Sequence, residues 1–177
     1  MNLDADLLAL LPWSTAVAEP DWDALYAQQL PRIYNYFHYR VGRGADIEEL
    51  TARTFEKAWR SRRRYRGDIA QFTTWLYRIA RNVAIDYRRS ERRHENIDLA
   101  TDLPTHGSPE QELALSSDQE RLKVLIEGLP DRERELLALK YGAGETNRAI
   151  AAVTGLSESN VGTILHRALK TLRAEWE

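Results

Sequence analysis

TNRAIAAVTGLSESNVGTILHRALKTL, residues Thr146 to Leu172, reads as two helices joined by a tight turn. Ala149, Ile150 and Val153 put apolar groups on one side of the first helix. Gly155 ends that helix, and Ser157 is placed to cap the next by accepting a bond from a free backbone N–H. Val161, Ile164, Leu165, Ala168, Leu169 and Leu172 then recur every three or four residues, the apolar stripe of an amphipathic helix. The opposite side carries Thr163, His166, Arg167 and Lys170. Ala151, Gly155 and Val161 occupy the small, glycine and apolar positions of a helix-turn-helix, whose second helix enters the major groove of DNA. An αα-hairpin within a plain helical bundle has the same periodicity, so this stretch alone leaves both readings open.

The rest of the chain narrows the choice. At 177 residues it has room for one domain or two small ones. It has no cysteine, which excludes disulfides, thiolate metal sites and a cysteine nucleophile, and fits a reducing cytoplasm. The longest apolar run, near Leu7–Leu11, falls far short of the roughly 20 residues of a membrane helix. No basic segment precedes it, so neither membrane insertion nor a signal peptide is expected.

The net charge of −2 conceals a segregation along the chain. Residues 1–20 carry three acids and no base; residues 21–93 carry 16 Lys and Arg against 9 Asp and Glu. Residues 94–120 hold 7 acids without a Lys or Arg, and residues 121–177 are nearly balanced, with 9 bases and 8 acids. This pattern divides the chain into an N-terminal extension (1–20), a basic domain (21–93), an acidic linker (94–120) and a helical domain (121–177). A basic domain in an acidic protein points to a polyanionic partner. The 27-residue linker reaches at most roughly 90 Å when extended, enough to hold two DNA-binding units several turns apart.

Asp21 opens the first helix of the basic domain, with Pro31 expected to kink or break it. Gly42 and Gly44 mark a turn, and Asp46 with Glu49 resembles a capping box for a second helix. There Ile47, Leu50, Thr54, Phe55, Ala58 and Trp59 form the inward side, with Trp59 and Trp75 both expected in the core. SRRRYRGD (Ser61–Asp68) is too basic and too glycine-broken for a core element. A third helix is expected from about Gln71 to Arg89, with Phe72, Trp75, Leu76, Ile79, Ala80 and Val83 packed inward. Its outer side bears Arg78, Arg81, Asn82, Arg88 and Arg89, and the chain continues into Arg92 and Arg93. A solvated arginine face is the plain reading, but few acids oppose these cations. Arginines beside the aromatic loop Tyr65–Thr74 are also what single-stranded nucleic acid binding uses, rings stacking on bases while cations track phosphates.

Four strings, LTARTFEKAWR (Leu50–Arg60), RYRGD (Arg64–Asp68), FTTWLYRIARN (Phe72–Asn82) and AIDYRR (Ala84–Arg89), resemble region 2 of bacterial RNA polymerase sigma factors. The likeness is greatest to the extracytoplasmic-function (ECF) group, which keeps only regions 2 and 4. Gly128–Arg173 resembles region 4, and together the two segments cover most of the chain in the family's order. The resemblance implies an all-α fold of two small helical domains joined by a flexible linker. It also implies a non-catalytic, cytoplasmic specificity subunit that binds core RNA polymerase, recognises two promoter elements and helps open the DNA.

Carried residue by residue, the resemblance assigns polymerase docking to the helix bearing Glu49, Ala52, Arg53, Glu56 and Arg60. Capture of the single-stranded −10 element falls to Tyr65, Phe72, Trp75, Arg78, Arg81, Asn82, Arg88, Arg89, Arg92 and Arg93. Reading of the duplex −35 element falls to Ser159, Gly162, Thr163, His166, Arg167 and Lys170. The linker would run where nascent RNA passes, and an anti-sigma factor is the implied inhibitory partner. This chain departs from many relatives in having Ala52-Arg53 in place of Gln-Glu, and Gly162 and Ile164 where arginines are common. Its loop before Trp75 is also one residue longer than usual.

Enzymatic chemistry finds no foothold: there is no P-loop, HExxH, nucleophile elbow or partnered carboxylate pair. His38, His94, His106 and His166 lack metal-ligand spacing, so no metal, cofactor or small-molecule substrate is expected. A stand-alone helix-turn-helix repressor is the rival reading; it needs a dimer surface and has no use for the region 2 strings. An interaction-only protein that binds polymerase has no use for the basic face near Arg88–Arg93.

Overall fold

The computed structural model describes residues 21–42, 45–67, 71–98 and 117–177, and every regular element among them is helical. The extension 1–20 and most of the acidic linker lie outside the described residues.

Helix α1 spans Trp22–Arg40 and is capped by Asp21, whose carboxylate accepts from the Ala24 N–H at 3.1 Å. It runs on through Pro31 without the break the sequence allowed. Ile33, Tyr36 and Phe37, immediately beyond the proline, are fully buried. That packing offsets the missing N–H, which costs about 3 kcal/mol in a helix interior.

Helix α2, Ile47–Ser61, starts where the sequence placed it, with Asp46 accepting from the Glu49 N–H at 2.8 Å. Leu50, Thr54 and Ala58 face inward, and the Thr54 hydroxyl donates to the Leu50 carbonyl at 2.8 Å. Trp59 does not join the core: it is 52% exposed. It stands beside the buried stripe that Thr54 and Ala58 form, where it meets Trp22 edge-on and lies under the Arg62 guanidinium, 3.9 Å from its ring centre. A short 3₁₀ turn, Arg62–Arg64, follows.

Helix α3 spans Phe72–Asp98 and so continues nine residues past the expected end at Arg89, into the start of the acidic segment. Leu76, Ala80 and Val83 are fully buried as their spacing predicted, while Phe72, Trp75 and Ile79 are half-buried. The C-terminal half begins with α4 (Ser117–Gly128) and α5 (Asp131–Leu137), the latter running into a π-helical turn, Ala138–Gly142. Helices α6 (Asn147–Thr154) and α7 (Glu158–Trp176) complete it.

The two halves touch. Helix α1 packs against the π-turn and α5, and α3 packs against α6. The approach at Gly142 is so close that a Cβ there would stand 2.8 Å from the Asn35 carbonyl oxygen and 2.9 Å from the Tyr39 ring. Linker length permits wide separation of the halves, yet here they share one buried core.

Candidate nucleic-acid interface

The helix-turn-helix is built as its sequence prescribes. Thr146 caps α6 by accepting from the Ala149 N–H at 3.1 Å, and Ser157 caps α7 by accepting from the Asn160 N–H at 3.2 Å. Gly155 turns the chain between them with φ +77°, a left-handed conformation that only glycine adopts without strain. Val161, Ile164, Leu165, Ala168 and Leu172 are buried. That leaves Ser159, Thr163, His166, Arg167 and Lys170 exposed on the far side, with Gly162 half-buried near the Asn147 side chain. Two of these groups already have partners. The Thr163 hydroxyl donates to the Ser159 carbonyl at 3.1 Å, and Arg167 Nε donates to the buried Glu133 carboxylate at 2.8 Å. Glu133 thus holds the Nε edge of the Arg167 guanidinium, while the side chain as a whole stays 65% exposed.

In the N-terminal half, Tyr65, Phe72 and Trp75 come together with Trp22 as one aromatic cluster, ring centres 5.2–6.2 Å apart. All four rings are half-buried, so the cluster is both part of the packing and accessible at its rim. Asn82, Arg89 and Arg93 are exposed, as the sequence predicted; the Arg92 side chain lies outside the described residues. Arg78, Arg81 and Arg88 are engaged across the fold, Arg78 while still exposed and Arg81 and Arg88 half-buried. Arg78 donates to the Ala152 carbonyl at 2.7 Å, Arg81 to Glu135 at 2.7 Å, and Arg88 pairs with Asp131. All three acceptors belong to the C-terminal half. On α2, Glu49, Ala52, Arg53, Glu56 and Arg60 are all exposed along one face, with Arg60 and Glu56 paired at 2.6 Å.

These two faces, one basic and aromatic and one a helix-turn-helix, match known families in the same order. The profile of Sigma-70 region 2 matches residues 25–94, and that of Sigma-70, region 4 matches residues 119–172. The ECF RNA polymerase sigma factor SigL of Mycobacterium tuberculosis is 30% identical over 155 residues, with 85% of each chain covered. The chain belongs to the ECF RNA polymerase sigma factor family. The ECF sigma factor BldN of Streptomyces coelicolor is 29% identical over 171 residues. That alignment takes in 95% of this chain but only 65% of BldN. Among solved structures, the sigma factor RpoE of Bartonella quintana, in complex with the anti-sigma factor NepR, has the same fold. Its TM-score is 0.69 at 20% identity, with 88% of this chain and 96% of that one covered.

Against this ECF sigma fold, sequence reasoning missed the residues that join region 2 to region 4. Arg40, 1% exposed, donates twice to Asp131, at 2.9 and 3.1 Å. Arg32 donates to the Ala143 carbonyl at 2.8 Å and stands 3.4 Å from Glu145. Burial raises the Glu145 carboxyl above the ordinary carboxylate range, partly offset by the Arg32 charge. Asp131 and Glu133 look in sequence like the acidic first turn of a helix, which complements the helix dipole, and Glu135 follows in the next turn. Nothing in their spacing reports partners across the fold. No helix among the described residues is long and apolar enough to cross a membrane.

Proposed function

We propose that the chain acts as a promoter-specificity subunit that binds core RNA polymerase, reads −35 and −10 elements and promotes opening of the DNA. The single observation that carries this reading is the pairing, in one ECF-family chain, of an exposed polar recognition face on α7 with an aromatic and arginine-bearing region 2. In this reading α7 lies in the major groove of the −35 duplex, with Thr163, His166 and Arg167 toward base edges and Ser159 and Lys170 toward phosphates. Region 2 takes the −10 strand after melting: the rim of the Tyr65, Phe72 and Trp75 cluster offers π-faces, and the α3 arginines offer phosphate contacts. Asn82 adds a directional amide for an unstacked base. The exposed face of α2 from Glu49 to Arg60 meets the polymerase. A protein inhibitor of the anti-sigma kind is the corresponding regulatory partner.

The test is transcription in vitro from a pool of random promoters, using purified bacterial core polymerase with and without the chain. Start sites that appear only with the chain and share two spaced motifs support the proposal. Duplex binding by the chain alone, with no polymerase binding and no new starts, would replace it with the repressor reading.

A further inference from the structure

Region 2 carries an aromatic ridge that the promoter reading leaves unused. Trp22 and Tyr26, one turn apart on α1, face Phe55 and Trp59, one turn apart on α2. The facing pairs meet edge-on, Tyr26 and Phe55 with ring centres 4.6 Å apart and Trp22 and Trp59 with centres 5.9 Å apart. Tyr26 is 46% exposed and Trp59 52%, while Trp22 and Phe55 are half-buried. Single exposed rings are ordinary on protein surfaces, but a contiguous apolar patch marks a place where something docks. The enclosed Trp22 indole N–H has no acceptor, so the ridge also holds an unmet donor. At its end stands the turn Arg62–Arg64, with the Arg62 guanidinium over the Trp59 ring. Among the described residues none of these three arginines is paired with a carboxylate.

The chain itself supplies a segment of complementary chemistry, covalently joined to the ridge. In LDADLLALLPW, residues Leu3 to Trp13, Leu3, Leu7, Leu10 and Leu11 recur at helical spacing and a tryptophan follows. Residues 1–20 carry Asp4, Asp6 and Glu19 and no base, the opposite charge to the Arg62–Arg64 turn. Residues 14–20 connect Trp13 to Asp21 and span at most about 25 Å. Because Asp21 adjoins Trp22, every ring of the ridge lies within that reach. A tether this short holds the segment at an effective concentration on the order of millimolar, which fills even a weak intramolecular site. We propose that residues 3–13 dock along the α1–α2 ridge, with the leucines and Trp13 against the rings and the acidic side chains toward Arg62–Arg64. The docked segment borders the α2 face assigned to polymerase, but the proposal does not depend on that assignment or on the promoter reading.

Docking is measured on the full chain without reference to transcription. Because the chain has no cysteine, Ala9→Cys with Ala27→Cys, the latter at an exposed position of α1, gives a unique spin-label pair. The parent sequence should give one narrow distance population. Leu7→Asp with Leu11→Asp should replace it with a broad distribution, and Asp4→Lys with Asp6→Lys should weaken it in the same direction. Neither change touches a residue of α1 to α7, and circular dichroism confirms that the helices are kept. On the ridge, Tyr26→Gln should also broaden the distribution. In parallel, nitrogen–proton NMR reads the indole N–H signals. That of Trp59 should shift when Leu7 and Leu11 are changed, and that of Trp176 should not.

A broad distribution in the parent overturns the proposal. So does a narrow one that the Leu7 and Leu11 changes leave intact. A distance that vanishes when labelled chain is diluted into excess unlabelled chain places the segment on a second copy and overturns docking within one chain. Loss of the narrow population with an unmoved Trp59 signal overturns the ridge as the docking place. Should the distances and signals behave as expected while no promoter is ever used, docking stands and the transcription reading fails.

Discussion

Gly155 joins the two helices of the helix-turn-helix, and its replacement gives a calculable loss. With φ at +77° and nothing within 4 Å of where a Cβ would be, Gly155→Ala meets no steric obstacle, only the backbone conformation. Holding a non-glycine residue in the left-handed region costs about 1–2 kcal/mol. Alanine recovers about 0.4–1 kcal/mol by restricting the unfolded chain. The net loss is therefore about 1 kcal/mol, which in a chain of this size lowers Tm by about 2–4 °C. Asparagine tolerates the left-handed region better, so Gly155→Asn should lose about half as much. Urea denaturation followed by tryptophan fluorescence measures both variants against the parent. Alanine as stable as glycine would refute the reasoning, as would asparagine no better than alanine. Either result would mean that the turn does not need its left-handed residue.

Three further outcomes follow from the site. Asn82→Ala should weaken promoter opening well before it weakens polymerase binding, because Asn82 is exposed on α3 and outside the α2 face assigned to polymerase; equal losses in open-complex and pull-down assays would count against its role. Glu133→Gln removes the carboxylate that fixes Arg167, so discrimination among −35 duplexes should flatten while affinity for non-specific DNA is kept; an unchanged anisotropy profile across single-base variants would contradict this. His38 has its pKa lowered, first by burial and then by the Lys123 charge. The folded state therefore prefers neutral His38, and stability should fall as pH drops below the ordinary value of 6.5. His38→Gln should flatten that limb of the stability–pH curve, and an identical slope would assign the effect elsewhere.

The elements that were legible in the sequence are those set by local physics. The stripe Val161 to Leu172, the glycine turn and the caps Asp46 and Ser157 each depend on neighbours within a few residues. The apolar side of α3 was equally readable at Leu76, Ala80 and Val83. Trp59 misled because helical spacing gives the side of a helix and not how wide the buried stripe is: Ala58 beside it is buried while Trp59 is 52% exposed. The break that Pro31 allowed is absent because tertiary burial around Tyr36 outweighs a local penalty. The family strings pointed to the arginines of α3, but their partners, two carboxylates and one backbone carbonyl, lie 43 to 74 residues away in sequence, a range over which no periodicity operates. The contact of the two halves was therefore invisible, and with it the engagement of Arg78, Arg81 and Arg88.

In the proposed function this chain, with core polymerase, melts promoter DNA at a recognised element. Permanganate reactivity of thymines across a promoter selected from the random pool tests it most directly. Reactive thymines confined to the −10 element, seen only with core polymerase and chain together and lost with Asn82→Ala, are the expected result. A duplex that stays unreactive while the chain alone protects the −35 sequence would contradict the account.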